Sequence, residues 1–231
     1  MKICAAIPAR LRSRRVPEKL LIEIGGKTVI QHTVDRVLES SLVLTEVFII
    51  TDSARIRPAG AINVLRRKSY ENGTARICDN LDRIPAEYSH ILIILGDQPL
   101  LNPDHIDKVI FYSSDCSSAI NTVVAPCFDP FNMSIAKVVL NCRNGITHIS
   151  RQPIGVYQHI SLVLIPRGIL GRYNSMKPTA IQDMENNEWI RFLFNCVPMR
   201  AHIVAEVERD LNTPEDLQYI QGAISAQRLN P

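Results

Sequence analysis

The chain has 231 residues, 46% of them hydrophobic, and a formal net charge of +3. That is enough apolar material for a substantial core, and it excludes a globally disordered chain. The cationic excess is local, in Arg10–Lys19 and in Arg66-Arg67-Lys68, which suits a small phosphate ligand better than extended nucleic acid.

Ile3–Ile7 reads as a short buried strand, followed at once by the stretch from Pro8 to Leu21, in which five of fourteen residues are cationic. Pro8 and Pro17 prevent a continuous helix there. A basic, restrained loop at the carboxyl end of a buried strand is where open α/β sheets bind anions. Arg supplies planar bidentate donors and Lys a compact point charge. A merely solvated basic loop is the alternative, and the apolar framing by Val16, Leu20 and Leu21 counts against it.

Gly25-Gly26-Lys27 makes a turn, and the spacing of Ile30, Val34, Val37 and Leu38 predicts a helix over Val29–Ser40. Glu46–Thr51 is a second buried strand ending in Asp52, and Asn63–Leu65 a third. Glu71–Arg76 opens a helix expected to reach about Arg83. The apolar strand His90–Leu95 runs into Gly96-Asp97-Gln98-Pro99, where a carboxylate could meet a hard cation or cap the next helix.

Asn102–Ser113 reads as a helix, Ala119–Ala125 and Lys137–Leu140 as strands, and Asn144-Gly145 as a hairpin turn. Val156–Ile165 is a strand, Arg167–Tyr173 a short helix, Ile181–Asn195 a longer one and Ala201–Val207 the last strand. Thr213, Pro214 and Asp216 form an N-terminal signal for a final helix to about Ala226, with a frayed tail over Gln227–Pro231. The expected fold is a doubly wound, Rossmann-like α/β domain spanning 1–231, with a mixed sheet and helices on both faces. Arg10, Asp52, Asp97 and Asn212 all follow candidate strands, so they are expected on one edge of that sheet. Six dispersed cysteines without a CxxC pair, and no run of the ~20 apolar residues needed to span a bilayer, point to a cytoplasmic protein without membrane contact.

Four stretches resemble the cytidylyltransferases that activate acidic sugars, the CMP-Kdo synthetase (3-deoxy-manno-octulosonate cytidylyltransferase) family in particular. They are Pro8-Ala9-Arg10 with Ser13, Arg15, Pro17 and Lys19; Asn72–Arg76; Leu95–Pro99; and Leu211–Leu217. The resemblance implies a nucleotide-diphospho-sugar transferase fold and transfer of a cytidylyl group from CTP to a sugar acid with Mg²⁺, by a homodimer paired through a segment near 150–165. It assigns the nucleotide to Pro8, Ala9, Arg10, Ser13, Arg15, Lys19, Gly73, Thr74, Arg76 and Gly96. It makes Arg10, Arg15, Lys19 and Asp97 catalytic, places Asp97 and Asn212 at the metal, and sets Gln152, Tyr157, Glu185 and Glu188 beside the sugar.

The departures are specific. Glu18 stands where the family often has Gly, Asn72 where it has Ser, Ala75 where it has a carboxylate, and Leu95 and Gln98 where it has Gln and Glu. Pro153 replaces a His, after a shortened basic segment. Trp189 replaces a Gln, and Asn212 replaces the second metal-binding Asp, so that either Asn212 is a weakened metal ligand or Asp210, two residues back, replaces the missing charge. Two alternatives stay open at this point: a nucleotide-binding homologue that has lost catalysis, and a neuraminate-type enzyme with another acceptor.

Overall fold

A computed structural model describes residues 1–13, 15–42, 46–114 and 118–229. Arg14 of the basic loop, Cys116 and the last two residues of the expected frayed tail lie outside them.

The apolar runs become the middle of one sheet. Strand β1 (Ile3–Ala9) lies between β6 (His90–Ile94) and β4 (Val47–Thr51), parallel to both, and β5 (Ile62–Leu65) extends the sheet beyond β4. On the other side β10 (Tyr157–Pro166) runs antiparallel to β6 and to β7 (Ile120–Pro126), and β11 (Met199–Ile203) is parallel to β7. The two-residue strands β2 (Glu23–Ile24) and β3 (Lys27–Thr28) form a separate hairpin. A further hairpin, β8 (Lys137–Leu140) with β9 (Ile146–Ser150), leans on the start of β10.

Alternation along the central strands feeds two cores. Ala5, Ile7, Leu92 and Ile94 face one, with α1 (Val29–Leu38) and α3 (Pro103–Ser113) supplying Val34 and Ile106. Cys4, Ala6, Ile91 and Ile93 face the other, with Ile77, Tyr173 and Phe192. Strands covered on both faces read as unbroken apolar runs, which is why they stood out in the sequence. Each fully buried aliphatic side chain contributes about 1.5–3 kcal/mol.

Helix starts follow local chemistry. Thr28 accepts from the Gln31 N–H at the head of α1, and Asn102 from Asp104 ahead of α3. Before α7 (Pro214–Leu229), Thr213 and Asp216 cap each other reciprocally, at 2.8 and 3.3 Å.

Four expectations need correction. The helix expected to reach Arg83 stops as α2 (Gly73–Cys78), because the Asn80 side chain turns back to the Arg76 carbonyl at 2.8 Å. Arg167–Tyr173 divides into α4 (Arg167–Leu170) and a tight turn at Tyr173–Ser175. The helix expected over Ile181–Asn195 is two helices, α5 (Ala180–Glu185) and α6 (Ile190–Phe194). Asn186 adopts a left-handed conformation that closes α5, and the Asn187 side chain accepts from the Trp189 N–H before α6. The last strand lies at Met199–Ile203 rather than Ala201–Val207, and β9 was not anticipated at all.

Candidate active site

β7 and β6 are each antiparallel to β10 and so parallel to one another, which brings the carboxyl ends of β1, β4, β6, β7 and β11 to one edge. Arg10, Asp52, Asp97 and Asn212 meet there, as their positions after strands predict. Hydrogen bonds wire the segments together. The Leu11 N–H donates to Asp52 Oδ1 at 2.9 Å, and Arg76 Nη2 lies 3.5 Å from Asp52 Oδ2. The Leu211 N–H donates to the Asp97 carbonyl at 2.9 Å. Lys19 Nζ bonds the Asp97 carboxylate and the Leu211 carbonyl, and Arg15 Nη2 reaches Asn212 Oδ1 at 2.8 Å.

The basic loop is anchored by buried Val16 and Leu20 and bends at Glu18, whose φ of 48° lies in the region that side-chain-bearing residues disfavour. Gly at that position would meet no such penalty. Glu18 is gripped by both Arg55 nitrogens at 2.6 and 2.8 Å, so Arg55, outside every motif, belongs to this loop.

The second motif lies against the first. A Cβ at Gly73 would sit 2.9 Å from Pro8 Cγ, so only Gly allows α2 to approach the loop this closely. Asn72 caps α2 by accepting from the Ala75 N–H at 2.8 Å, so the change from Ser keeps the cap. Arg76 is 5% exposed, stacks over Tyr70, and leaves Nη1 without a partner among the described residues. Burial lowers its pKa, and the nearby Arg10 charge pushes the same way; burial and the charge of Arg15 do the same to Arg151. Guanidinium groups set against each other describe a place for an anion. Gly96 is packed rather than open, since a Cβ there would meet Ile30 Cδ1 at 2.8 Å. Pro8 and Ala9 end β1, and Ser13 is half-buried in the loop.

The residues assigned to the sugar side divide into two kinds. Glu185 accepts from the Ser150 hydroxyl at 2.5 Å and the Arg151 N–H at 2.6 Å. Both oxygens of Glu188 accept from the head of α2: the Gly73 and Thr74 N–H groups at 2.9 and 3.0 Å, and the Thr74 hydroxyl at 2.6 Å. These two carboxylates are engaged within the protein. Gln152 is exposed, and Tyr157 begins β10, whose reversed direction brings that end to the edge where Asp97 sits. Behind them the buried Arg191 bonds Glu71 and Gln182 and lies over the Tyr173 ring. Glu71, Gln182, Arg151 and Asp210 were not singled out by motif; only the acidic neighbour of Asn212 offered a signal.

The oxygens at Asp97 and Gln98 fit a divalent cation. Asp97 is 8% exposed, and its Oδ1, like Gln98 Oε1, has no partner among the described residues. A buried carboxylate oxygen without a donor is costly unless a cation meets it, and hard cations favour oxygen ligands. Asn212 Oδ1 is instead taken by Arg15.

Comparison with known proteins agrees with this geometry. A family model described as cytidylyltransferase matches residues 4–223. A 3-deoxy-manno-octulosonate cytidylyltransferase of Geobacter sulfurreducens is 29% identical, over 95% of this chain and 98% of the relative. One from Coxiella burnetii is 30% identical, over 96% and 99%. A solved CMP:2-keto-3-deoxy-manno-octonic acid synthetase complexed with CTP superposes with a TM-score of 0.91 at 25% identity, over 98% of this chain and all of the other.

Proposed function

Because the chain belongs to the cytidylyltransferase family, we propose that it couples CTP to 3-deoxy-manno-octulosonate or a close sugar acid, giving a CMP-sugar and pyrophosphate. The observation that carries this reading is the sheet edge where Arg10, Arg15, Lys19 and Arg76 converge around unpaired buried polar atoms. The full-length likeness to relatives that bear this activity in their names supports it.

In such a transfer a sugar hydroxyl attacks the α-phosphorus in line and pyrophosphate leaves. The protein's part is to position the groups and neutralise charge. Arg10 and Arg15 hold phosphate oxygens, with Ser13 and loop N–H groups assisting. Lys19 spends two of its three donors on Asp97 and Leu211 and has the third for a phosphate. The free Nη1 of Arg76 has the donor a nucleotide oxygen needs, while Thr74 and Gly73 set the head of α2 beside it. Mg²⁺, with Asp97 among its ligands, supplies charge neutralisation at the α-phosphate when bound. Gln152 and Tyr157 face the sugar; Glu185 and Glu188 fix the backbone around it.

The protein works as a cytosolic homodimer, since CTP and dispersed thiols belong to a reducing compartment. No helix among the described residues is long and apolar enough to cross a membrane. The dimer contact is assigned to Gln152–Tyr157, ahead of the largely buried remainder of β10; exposed Phe128, whose neighbour Cys127 donates its N–H to the carbonyl of exposed Val156, lies beside it. The test is pyrophosphate release from CTP and Mg²⁺ across a panel of sugar acids. Release that depends on 3-deoxy-manno-octulosonate supports the reading, and release with neuraminate alone moves it to another acceptor. CTP binding without turnover on any acceptor refutes it.

A further inference from the structure

Asn212 brings no charge to the metal, and its side-chain oxygen already accepts from Arg15 at 2.8 Å. The missing carboxylate is nevertheless present two residues earlier. Because the Leu211 N–H donates to the Asp97 carbonyl at 2.9 Å, and Lys19 bridges the Asp97 carboxylate to the Leu211 carbonyl at 3.0 Å, residues 210–212 are strapped along the Asp97 turn. The strap places the Asp210 carboxylate against the Gln98 side chain, whose Nε2 donates to Asp210 Oδ1 at 3.2 Å.

Gln98 is 3% exposed, and its own Oε1 has no partner among the described residues, nor has Asp97 Oδ1. The Asp97 carboxylate and the Gln98 amide oxygen thus follow one another along the turn, and the Asp210 carboxylate is hydrogen-bonded to that same Gln98 side chain, with Lys19 the cation hydrogen-bonded to Asp97. Buried oxygens lacking donors, one on a carboxylate and one on an amide, beside a second carboxylate, are what a hard divalent cation requires.

We propose that Asp97 and Asp210 together hold the divalent cation, with the Gln98 carbonyl oxygen as a third protein ligand, and that Asn212 is a positioning residue for Arg15. The carboxylate has moved from the turn before α7 to the strap. The vacated position serves the phosphate loop: an amide oxygen accepts from Arg15 without neutralising it, so the guanidinium keeps its charge for an anion. The assignment takes the CTP reading as its setting, but its test with metal alone is independent of that reading.

Mn²⁺ titrated into the full chain, with the free ion followed by electron paramagnetic resonance, reads the site directly. Wild type is expected to bind Mn²⁺ without nucleotide. Asp210→Asn and Asp97→Asn each weaken it by about tenfold or more, as the loss of one of two carboxylates requires. Asn212→Ala leaves Mn²⁺ within about twofold but weakens CTP by about tenfold, through the freed Arg15. Thermal unfolding guards against misfolding, because Asp210→Asn removes a repulsion and its metal-free melting point should not fall below wild type. Added Mn²⁺ should raise the melting point of wild type and not of this variant. Wild type that binds no Mn²⁺, with or without CTP, would overturn the proposal. So would Mn²⁺ binding that Asp210→Asn leaves intact and Asn212→Ala abolishes. Mn²⁺ bound through Asp97 and Asp210 in a protein that ignores CTP would uphold the metal site and remove the cytidylyltransferase reading instead.

Discussion

The two charge clusters beside the nucleotide motifs differ in how completely they are satisfied. At the phosphate edge, Asp97 Oδ1, Gln98 Oε1 and Arg76 Nη1 are buried and lack partners among the described residues. In the clamp behind it, Arg191 is shared between Glu71 and Gln182, Glu188 takes three donors, and Glu185 takes two. The fully buried Lys137 belongs with the clamp, its ammonium held by the carbonyls of Asn132, Ile135 and Arg151. A buried polar atom without a partner costs free energy, so it persists where a ligand will meet it; a satisfied one is scaffolding. Motif matching treats both clusters alike, whereas the count of unmet hydrogen bonds separates them.

That separation predicts opposite consequences for similar substitutions. In the clamp, Arg191→Ala takes the donor from Gln182 Oε1, leaves the half-exposed Glu71 with its Gln182 bond and empties the space over the Tyr173 ring, and should cost about 2–3 kcal/mol of stability. That corresponds to a fall in melting temperature of roughly 10 °C by calorimetry. An unchanged melting temperature would show that the clamp is not scaffolding. At the edge, Arg15→Ala should leave the melting temperature alone and weaken CTP about ten- to a hundredfold, the worth of a charge-assisted bond of about 1.5–3 kcal/mol. Arg36, which pairs with Glu39 on α1, is the fitting control. Equal small losses by titration calorimetry for Arg15→Ala and Arg36→Ala would return the basic loop to a solvated surface.

A third prediction concerns pH. Burial lowers the pKa of both His159 and His202 to about 4, from 6.5. The unfolded chain therefore takes up protons that the folded chain refuses. Stability is fully present above pH 6.5 and declines as pH falls towards about 4. Neither ring is wholly withdrawn from water, which limits the loss to about 1–2 kcal/mol each. Thermal melts at pH 7 and pH 5 should show a smaller drop for His159→Gln than for wild type, and parallel drops would refute the assignment. The smallest effect belongs to Glu18→Gly. It relieves a left-handed backbone and forfeits the Arg55 pair, two terms of opposite sign. A slight rise in melting temperature is expected, and a clear fall would mean that the pair outweighs the strain.

The sheet and the edge bearing Arg10, Asp52 and Asp97 were legible in the chain, whereas the order of its strands was not. Strands buried on both faces must be apolar throughout, and a loop that leaves such a strand can carry charge only beyond its end. Gly73 was legible too, though its reason, the contact with Pro8, was not. The break at Asn186 escaped notice because helical periodicity continues across it, and a left-handed Asn leaves no trace in spacing.

By itself, then, the sequence determined the fold and the presence of an anion-binding edge, because both rest on local pattern: apolar runs, capping residues and a basic loop between prolines. The tertiary structure alone decided which charges are available. Glu188 and Glu185 resemble sugar ligands in the chain, but contacts with Gly73, Thr74, Ser150 and Arg151 occupy them. Asp210 is one of two candidates for the second acidic position in the chain, and only the strap brings it to Gln98 beside Asp97. Those partners lie 34 to 115 residues apart in the first case and 112 in the second, distances over which no sequence spacing carries information and only packing sets the geometry.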